Sequence, residues 1–128
     1  MSSAVEAVQA VYEAWNRGGL EAAMRAVPED ILWETPPDSP EPEVVHGRQA
    51  AAGSMQNWMN EWGSLEIIDF VIEERGDRVL ASLIQRATGR SSGVVVEGPL
   101  YMVWTHEDGK LVRMQMFLDE DEAHAAAS

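Results

Sequence analysis

The chain has 128 residues, 45% of them hydrophobic and 24% charged, which is one domain with enough apolar content to bury a core. Twenty-two acidic residues against nine basic ones leave a net charge of −13. That field repels phosphate backbones and anionic lipid, so nucleic acid and membrane are excluded as partners.

Cysteine is absent, which removes disulfides, thiolate metal sites and cysteine nucleophiles together. No apolar run approaches the ~20 residues of a membrane span. Residues 1–6 lack the basic start of a secretory leader, so a cytoplasmic location is expected.

Val5, Val8, Tyr12 and Trp15 recur at steps of three and four, which predicts an amphipathic helix over residues 4–15. Asn16, Gly18 and Gly19 favour its closure, and a short second helix over 20–26 runs into Pro28. Residues 31–35 predict a strand that Pro36 and Pro37 stop. Residues 36–45, with prolines at 36, 37, 40 and 42, read as a loop of lid-like length. From Gly47 the helical period returns: Met55, Trp58, Met59 and Trp62 fall at i, i+3, i+4 and i+7, with Gly63 and Ser64 ending the helix.

The remainder alternates as strands do. Residues 65–74 and 78–88 flank a tight turn at Gly76-Asp77 that sets Arg75 opposite Arg78. One face then pairs Ile72 with Ala81, Phe70 with Leu83 and Ile68 with Gln85. The other pairs Val71 with Ser82, Asp69 with Ile84 and Ile67 with Arg86. The first set is more apolar and is expected inside. A third strand over 94–106 and a fourth over 111–118 follow, and the acidic residues 119–122 open a weak Ala-rich helix. Helices first and antiparallel strands later make a single α+β domain over residues 1–128.

Several short stretches occur in a characteristic order: Tyr12-Glu13-Ala14-Trp15-Asn16 with Gly18 and Leu20, residues 31–36, and His46-Gly47-Arg48. Gly76-Asp77-Arg78-Val79, Val103-Trp104-Thr105, residues 108–113 and Phe117-Leu118-Asp119 complete the set. In that order and spacing the chain resembles the SnoaL-like branch of the nuclear transport factor 2-like superfamily. The resemblance implies a cone-shaped fold: a curved mixed or antiparallel sheet wrapped around N-terminal helices, with an internal pocket. It also implies a small organic ligand, no cofactor, and a homodimer through the convex face of the sheet. Isomerases, polyketide-type cyclases, epoxide hydrolases, dehydratases and noncatalytic proteins share this fold, so fold alone does not select among them.

The related ketosteroid isomerases place their general-base aspartate before a proline on the first strand. Here that context is Glu34-Thr35-Pro36, and Thr35 has no group that titrates in range. The family's first oxyanion donor maps to Val11 and its second to Tyr101. Steroid isomerisation by the usual aspartate-base mechanism is therefore excluded.

The resemblance turns Tyr101, Val103 and Thr105 toward the pocket, and makes Tyr101 and Thr35 the candidate catalytic residues. Tyr101 reads either as a hydroxyl donor to a ligand oxygen or as a structural tyrosine bonded to backbone. Trp33 shares the face of Thr35, while Glu34 points away by strand parity. Tyr12 and Trp15 line the pocket from the first helix, and Met55, Trp58, Met59 and Trp62 from the third. Phe70, Leu83 and Gln85 line it from the hairpin, and Met114, Met116 and Leu118 from the last strand.

Seven Met and five Trp suit a pocket for a nonpolar ligand, and the same stripes equally serve as core. Gln85 satisfies backbone or contacts a ligand. Opposite parity turns Met102, Trp104, Arg113, Gln115 and Phe117 outward, an apolar surface that a homodimer would bury. Asp69 and Arg86 match epoxide hydrolase chemistry by residue type only, and read as a surface ion pair. His46, His106 and His124 have no metal-ligand spacing, so no metal is expected.

The expected protein has a small-molecule pocket. It performs cofactor-free acid–base chemistry, isomerase- or cyclase-like, on an apolar carbonyl or polyketide-like ligand, or it is a noncatalytic binding or assembly module. A carboxylate or imidazole inside the pocket decides between them.

Overall fold

The apolar stripe of the N-terminal segment forms one element, α1 (Ser3–Arg25), burying Val8, Val11, Tyr12 and Trp15. Within it Gly19 takes φ 73° and ψ −156°, backbone angles that essentially only glycine adopts, so the two helices expected here meet at a kink. The structure is a computed structural model that describes residues 3–37, 43–60, 62–89 and 91–128, without the side chains of residues 58 and 62–64.

β1 (Leu32–Glu34) follows, then β2 (Val44–His46). Residues 44 and 45 were expected in the loop over 36–45, of which residues 38–42 lie outside the described residues. β2 is too short to carry a strand pattern of its own. Pairing supplies what propensity does not: Trp33 lies opposite Val45, and the Thr35 amide donates to the Glu43 carbonyl at 3.0 Å.

α2 (Arg48–Met59) ends where the Asn60 amide bonds back to the Gln56 and Asn57 carbonyls. Trp62 therefore does not continue the helix, as its i+7 spacing suggested. It opens β3 (Trp62–Arg75), captured by pairing with Gly89.

β4 (Arg78–Gly89), β5 (Val95–Glu107), β6 (Lys110–Phe117) and α3 (Glu120–Ala127) complete the chain. Asp119 caps α3, its side chain accepting from the Glu122 amide at 2.9 Å. The β3–β4 turn sets Arg75 opposite Arg78, and Ile72 and Phe70 opposite Ala81 and Leu83, as expected. At Ile68 the register slips, so Ile67 faces Gln85, Glu66 faces Arg86, and Ile68 is exposed. One extra residue in one strand reverses the parity of everything before it.

The sheet runs β2-β1-β6-β5-β4-β3, with β1 parallel to β6 and every other pairing antiparallel. Ala81 and Leu83 lie opposite Met102 and Leu100, and residues directly opposite share a face. This register turns Leu100, Met102 and Trp104 inward and Tyr101 and Val103 outward, the reverse of what the resemblance implied. Met114 and Met116, opposite Trp104 and Met102, point inward as expected.

Two apolar layers result. The inner one joins α1, α2 and the concave face of the sheet. The outer one packs Leu80, Tyr101, Val103 and Phe117 beneath Ala123 and Ala127 of α3. The surface expected to dimerise is thereby dismantled: Met102 and Trp104 are interior, and Phe117 is covered by α3. Arg113 and Gln115 remain on the outer face, opposite Thr105 and Val103. No helix among the described residues is long and apolar enough to cross a membrane.

Candidate functional site

A chamber lies where the inner layer is incompletely filled. Val11, Tyr12, Trp15, Ala23 and Met24 of α1 close it on one side, with Met55 of α2. Trp33 of β1, Leu65 and Ile67 of β3, and Leu83 and Gln85 of β4 form the wall opposite, with Leu100, Met102 and Trp104 of β5. Its free space is about 30 Å³, room for a single water.

Aromatic edges meet faces around it. Trp104 stands 6.0 Å from Trp33 and 6.4 Å from Tyr12, both nearly perpendicular, and Phe70 backs Tyr12 at 5.4 Å.

The polar atoms are few. Trp104 Nε1 donates to the Tyr12 hydroxyl at 2.9 Å, which in turn donates to Met102 Sδ at 3.2 Å, a weak acceptor. Trp15 Nε1 donates to the Leu65 carbonyl at 3.2 Å. Trp33 Nε1 and Gln85 Oε1 are buried with no partner among the described residues. Burial pushes the Tyr12 hydroxyl far above the ordinary phenol range, against the smaller opposite effect of the Trp104 bond. Tyr12 is thus a permanent donor and never a base. No carboxylate, imidazole or guanidinium lines the chamber among the described residues.

Of the residues expected in the pocket, Tyr12, Trp15, Trp33, Met55, Leu83 and Gln85 meet there. Met59 and Phe70 pack half-buried against the same core, and Met114 and Met116 are buried in it without reaching the chamber. The side chains of Trp58 and Trp62 lie outside the described residues. Val103 sits in the outer layer and Leu118 is exposed just past β6, so neither lines the chamber.

Both candidate catalytic residues are elsewhere. Tyr101 is buried under α3, its hydroxyl donating to Glu120 Oε2 at 3.3 Å. Desolvation, and then the Glu120 carboxylate, raises its pKa above the ordinary phenol value. Thr35 Oγ1 accepts from the Glu43 amide at 2.6 Å and so fastens the end of β1 to the start of β2. Arg86 pairs with Glu97 at 3.2 Å, while Asp69 accepts from the Phe70 amide; both lie away from the chamber.

Sequence reasoning does not reach Val11, Ala23, Met24, Leu65, Ile67, Leu100, Met102 and Trp104 as chamber residues. For the last three the signal existed: Leu100, Met102 and Trp104 form the more apolar of the two alternating sets on β5. The slip at Ile68 that turns Ile67 inward has no sequence mark.

Residues 8–114 match the family described as a SnoaL-like domain, and the chain belongs to that family. Solved structures of similar fold include a nuclear transport factor 2-like protein of unknown function from Burkholderia pseudomallei. It is 21% identical, with a TM-score of 0.79 over 100% of this chain and 99% of that one. TerC, co-crystallised with polyporic acid, is 20% identical with a TM-score of 0.78 over 97% of each chain. A proposed polyketide cyclase from Xanthomonas campestris pv. campestris is 26% identical, with a TM-score of 0.72 over 98% of this chain and 97% of that one. No curated protein matches the chain in sequence. The fold is the α+β cone of the nuclear transport factor 2-like proteins, with a six-stranded mixed sheet that stays open.

Proposed function

We propose that the chamber binds the flat, uncharged ring system of a small organic molecule, and that it does so without acid–base catalysis. The observation that carries this reading is the character of the lining. Trp33 Nε1 and Gln85 Oε1 are buried polar atoms without partners, and no described neighbour in the chamber can take or give a proton at neutral pH.

Each orphaned atom costs about 1–3 kcal/mol, which a ligand hydroxyl or carbonyl would relieve. An ionised ligand group would find no countercharge here and would be penalised by desolvation. The resting space admits only one water, so a ligand must displace side chains. Met24, Met55 and Met102 are the unbranched, adaptable ones. The proposed polyketide cyclase and the polyporic acid complex among the structural relatives support a ring-bearing ligand. An isomerase- or cyclase-like reaction would require a base, and Tyr12 is held protonated.

The test is a thermal-shift and native mass-spectrometry survey of planar ketones, polyketide fragments and polyporic acid, with hits incubated and analysed for turnover. A hit is expected to stabilise the protein and return unchanged. Trp33→Phe and Gln85→Leu should each weaken it by roughly 0.5–1.5 kcal/mol, the net worth of one hydrogen bond. Conversion of a hit, or affinity indifferent to both substitutions, would refute the reading.

A further inference from the structure

Met24 is one of the six helix residues that close the chamber, and its unbranched side chain is the adaptable one that also faces outward. There it lines a surface groove of about 790 Å³ between the second half of α1 and α2. We infer that groove and chamber are one site, with Met24 as the partition. Its ligand is elongated: an apolar ring system in the chamber, an alkyl chain along the groove, and a terminal carboxylate at Arg48. This inference rests on the chamber being a binding site.

Three observations on different elements support it. The first is Gly53, which lies in the interior of α2 and lines the groove. A Cβ added there would meet nothing within 4 Å, and its φ is not in the left-handed region, so neither packing nor backbone geometry asks for glycine. Glycine weakens a helix interior. What its presence does achieve is an open groove beside Ala52 and Met24.

The second is the kink at Gly19. It makes Leu20–Arg25 a separate helical piece that carries Met24 and Leu20, the two apolar residues α1 gives to the groove.

The third is Arg48. Its Nε donates to the Val27 carbonyl at 2.7 Å, which fixes the guanidinium at the groove's edge. Its acidic neighbour, Glu29, is 4.0 Å away with a side chain 90% exposed. The charge is thus oriented but only loosely paired, in a chain whose net charge otherwise turns anions away. The other groove arginine, Arg25, pairs with Glu21 at 3.5 Å, with both side chains well out in solvent.

A second cleft, lined by Trp15, Asn16, Gly19, Leu65, Glu66 and Ile67, also borders the chamber. There the shared wall is a large indole pinned by its bond to the Leu65 carbonyl, and the charge is a carboxylate. The helical side combines the flexible partition with two arginines, each beside an exposed glutamate, and of the two Arg48 is the one fixed by a backbone bond.

The experiment uses three probes: naphthol as the ring alone, naphthyloxyhexanol as ring and chain, and naphthyloxyhexanoic acid as the whole. Each is titrated by fluorescence into the wild type, Gly53→Leu and Arg48→Gln. In the wild type the acid should bind at least ~10-fold more tightly than naphthol, since several methylenes leave water and the carboxylate gains a partner. Gly53→Leu fills the groove and strengthens the helix. It should abolish that gain while naphthol affinity stays within about twofold and Tm rises. Arg48→Gln should bring the acid down to the affinity of the alcohol.

If naphthol binds but the acid gains nothing, or the gain survives either substitution, the extended site is overturned and the chamber reading stands. If no probe binds, the chamber reading falls and this inference with it.

Discussion

Trp104 Nε1 donates to the Tyr12 hydroxyl at 2.9 Å, tying α1 to the concave face of β5 in the buried interior. Trp104 is fully buried and Tyr12 nearly so. Tyr12→Phe would keep ring volume and leave the indole N–H without an acceptor. The expected loss is about 1–3 kcal/mol, read from the midpoint of urea unfolding at unchanged slope. A shift of the midpoint within error would show that water or a rearranged neighbour takes over the bond.

A second contact of this kind ties the outer layer to α3. The hydroxyl of Tyr101 donates to Glu120, and burial followed by that carboxylate raises its pKa. Because the folded pKa lies above the unfolded one, the fold favours the protonated phenol. The associated stability is complete below the unfolded value of about 10 and is lost as pH rises through the folded one. Stability should therefore fall above about pH 10, and Tyr101→Phe should lose about 1 kcal/mol at neutral pH while removing Tyr101's share of that alkaline decline and leaving the share of the buried Tyr12. Ligand affinity should not change, since Tyr101 lies outside the chamber. Selective loss of affinity would return it to the site.

Gly19→Ala tests the kink. At φ 73° and ψ −156° a Cβ is strained whatever space surrounds it, and nothing lies within 4 Å. The expected destabilisation is about 1–3 kcal/mol, without the steric component a crowded glycine would add. Retained stability would mean that α1 straightens at little cost, and the amide exchange of residues 20–25 would show it.

Self-association remains testable on different residues from those first expected. Among the described outer-face residues of β3 and β4, Val71 is 60% exposed and Ile84 is 42% exposed, both beyond the cover of α3. Sedimentation at micromolar concentration should give a homodimer, and Val71→Glu with Ile84→Glu should give a folded monomer. A wild type that sediments as a monomer removes the homodimer from the account.

Much of the fold was legible because its signals are local. Helical spacing marks α1 and α2, Gly76-Asp77 marks the β3–β4 turn, and the alternation of Met114 and Met116 orients β6. What failed depended on pairing. β2 exists because β1 offers it a partner, and Trp62 leaves the helical period because Gly89 offers it another.

The site was half legible for the same reason. Tyr12, Trp15 and Met55 follow from helical stripes, and Trp33, Leu83 and Gln85 from strand parity. The resemblance orients β5 one way, and the strand's own residues orient it the other. Weighing Leu100, Met102 and Trp104 against Tyr101, Val103 and Thr105 by apolarity, the criterion that oriented β4, turns the strand correctly. That one inversion displaced the proposed donor and the dimer surface together.

The parallel pairing of β1 with β6 places Trp33 beside Met114, bringing together segments from opposite ends of the chain. Among the described residues, β1 and β2 join the rest of the sheet through β6. During synthesis the long hairpins of β3, β4 and β5 can form as they emerge, whereas β1 must wait for a neighbour made long after it. Closing so large a loop is slow, so the Trp33 wall is expected to dock last. Until then the cavity stands open on one side, and a nascent chain stalled before β6 would lack the enclosure that the proposed ligand requires.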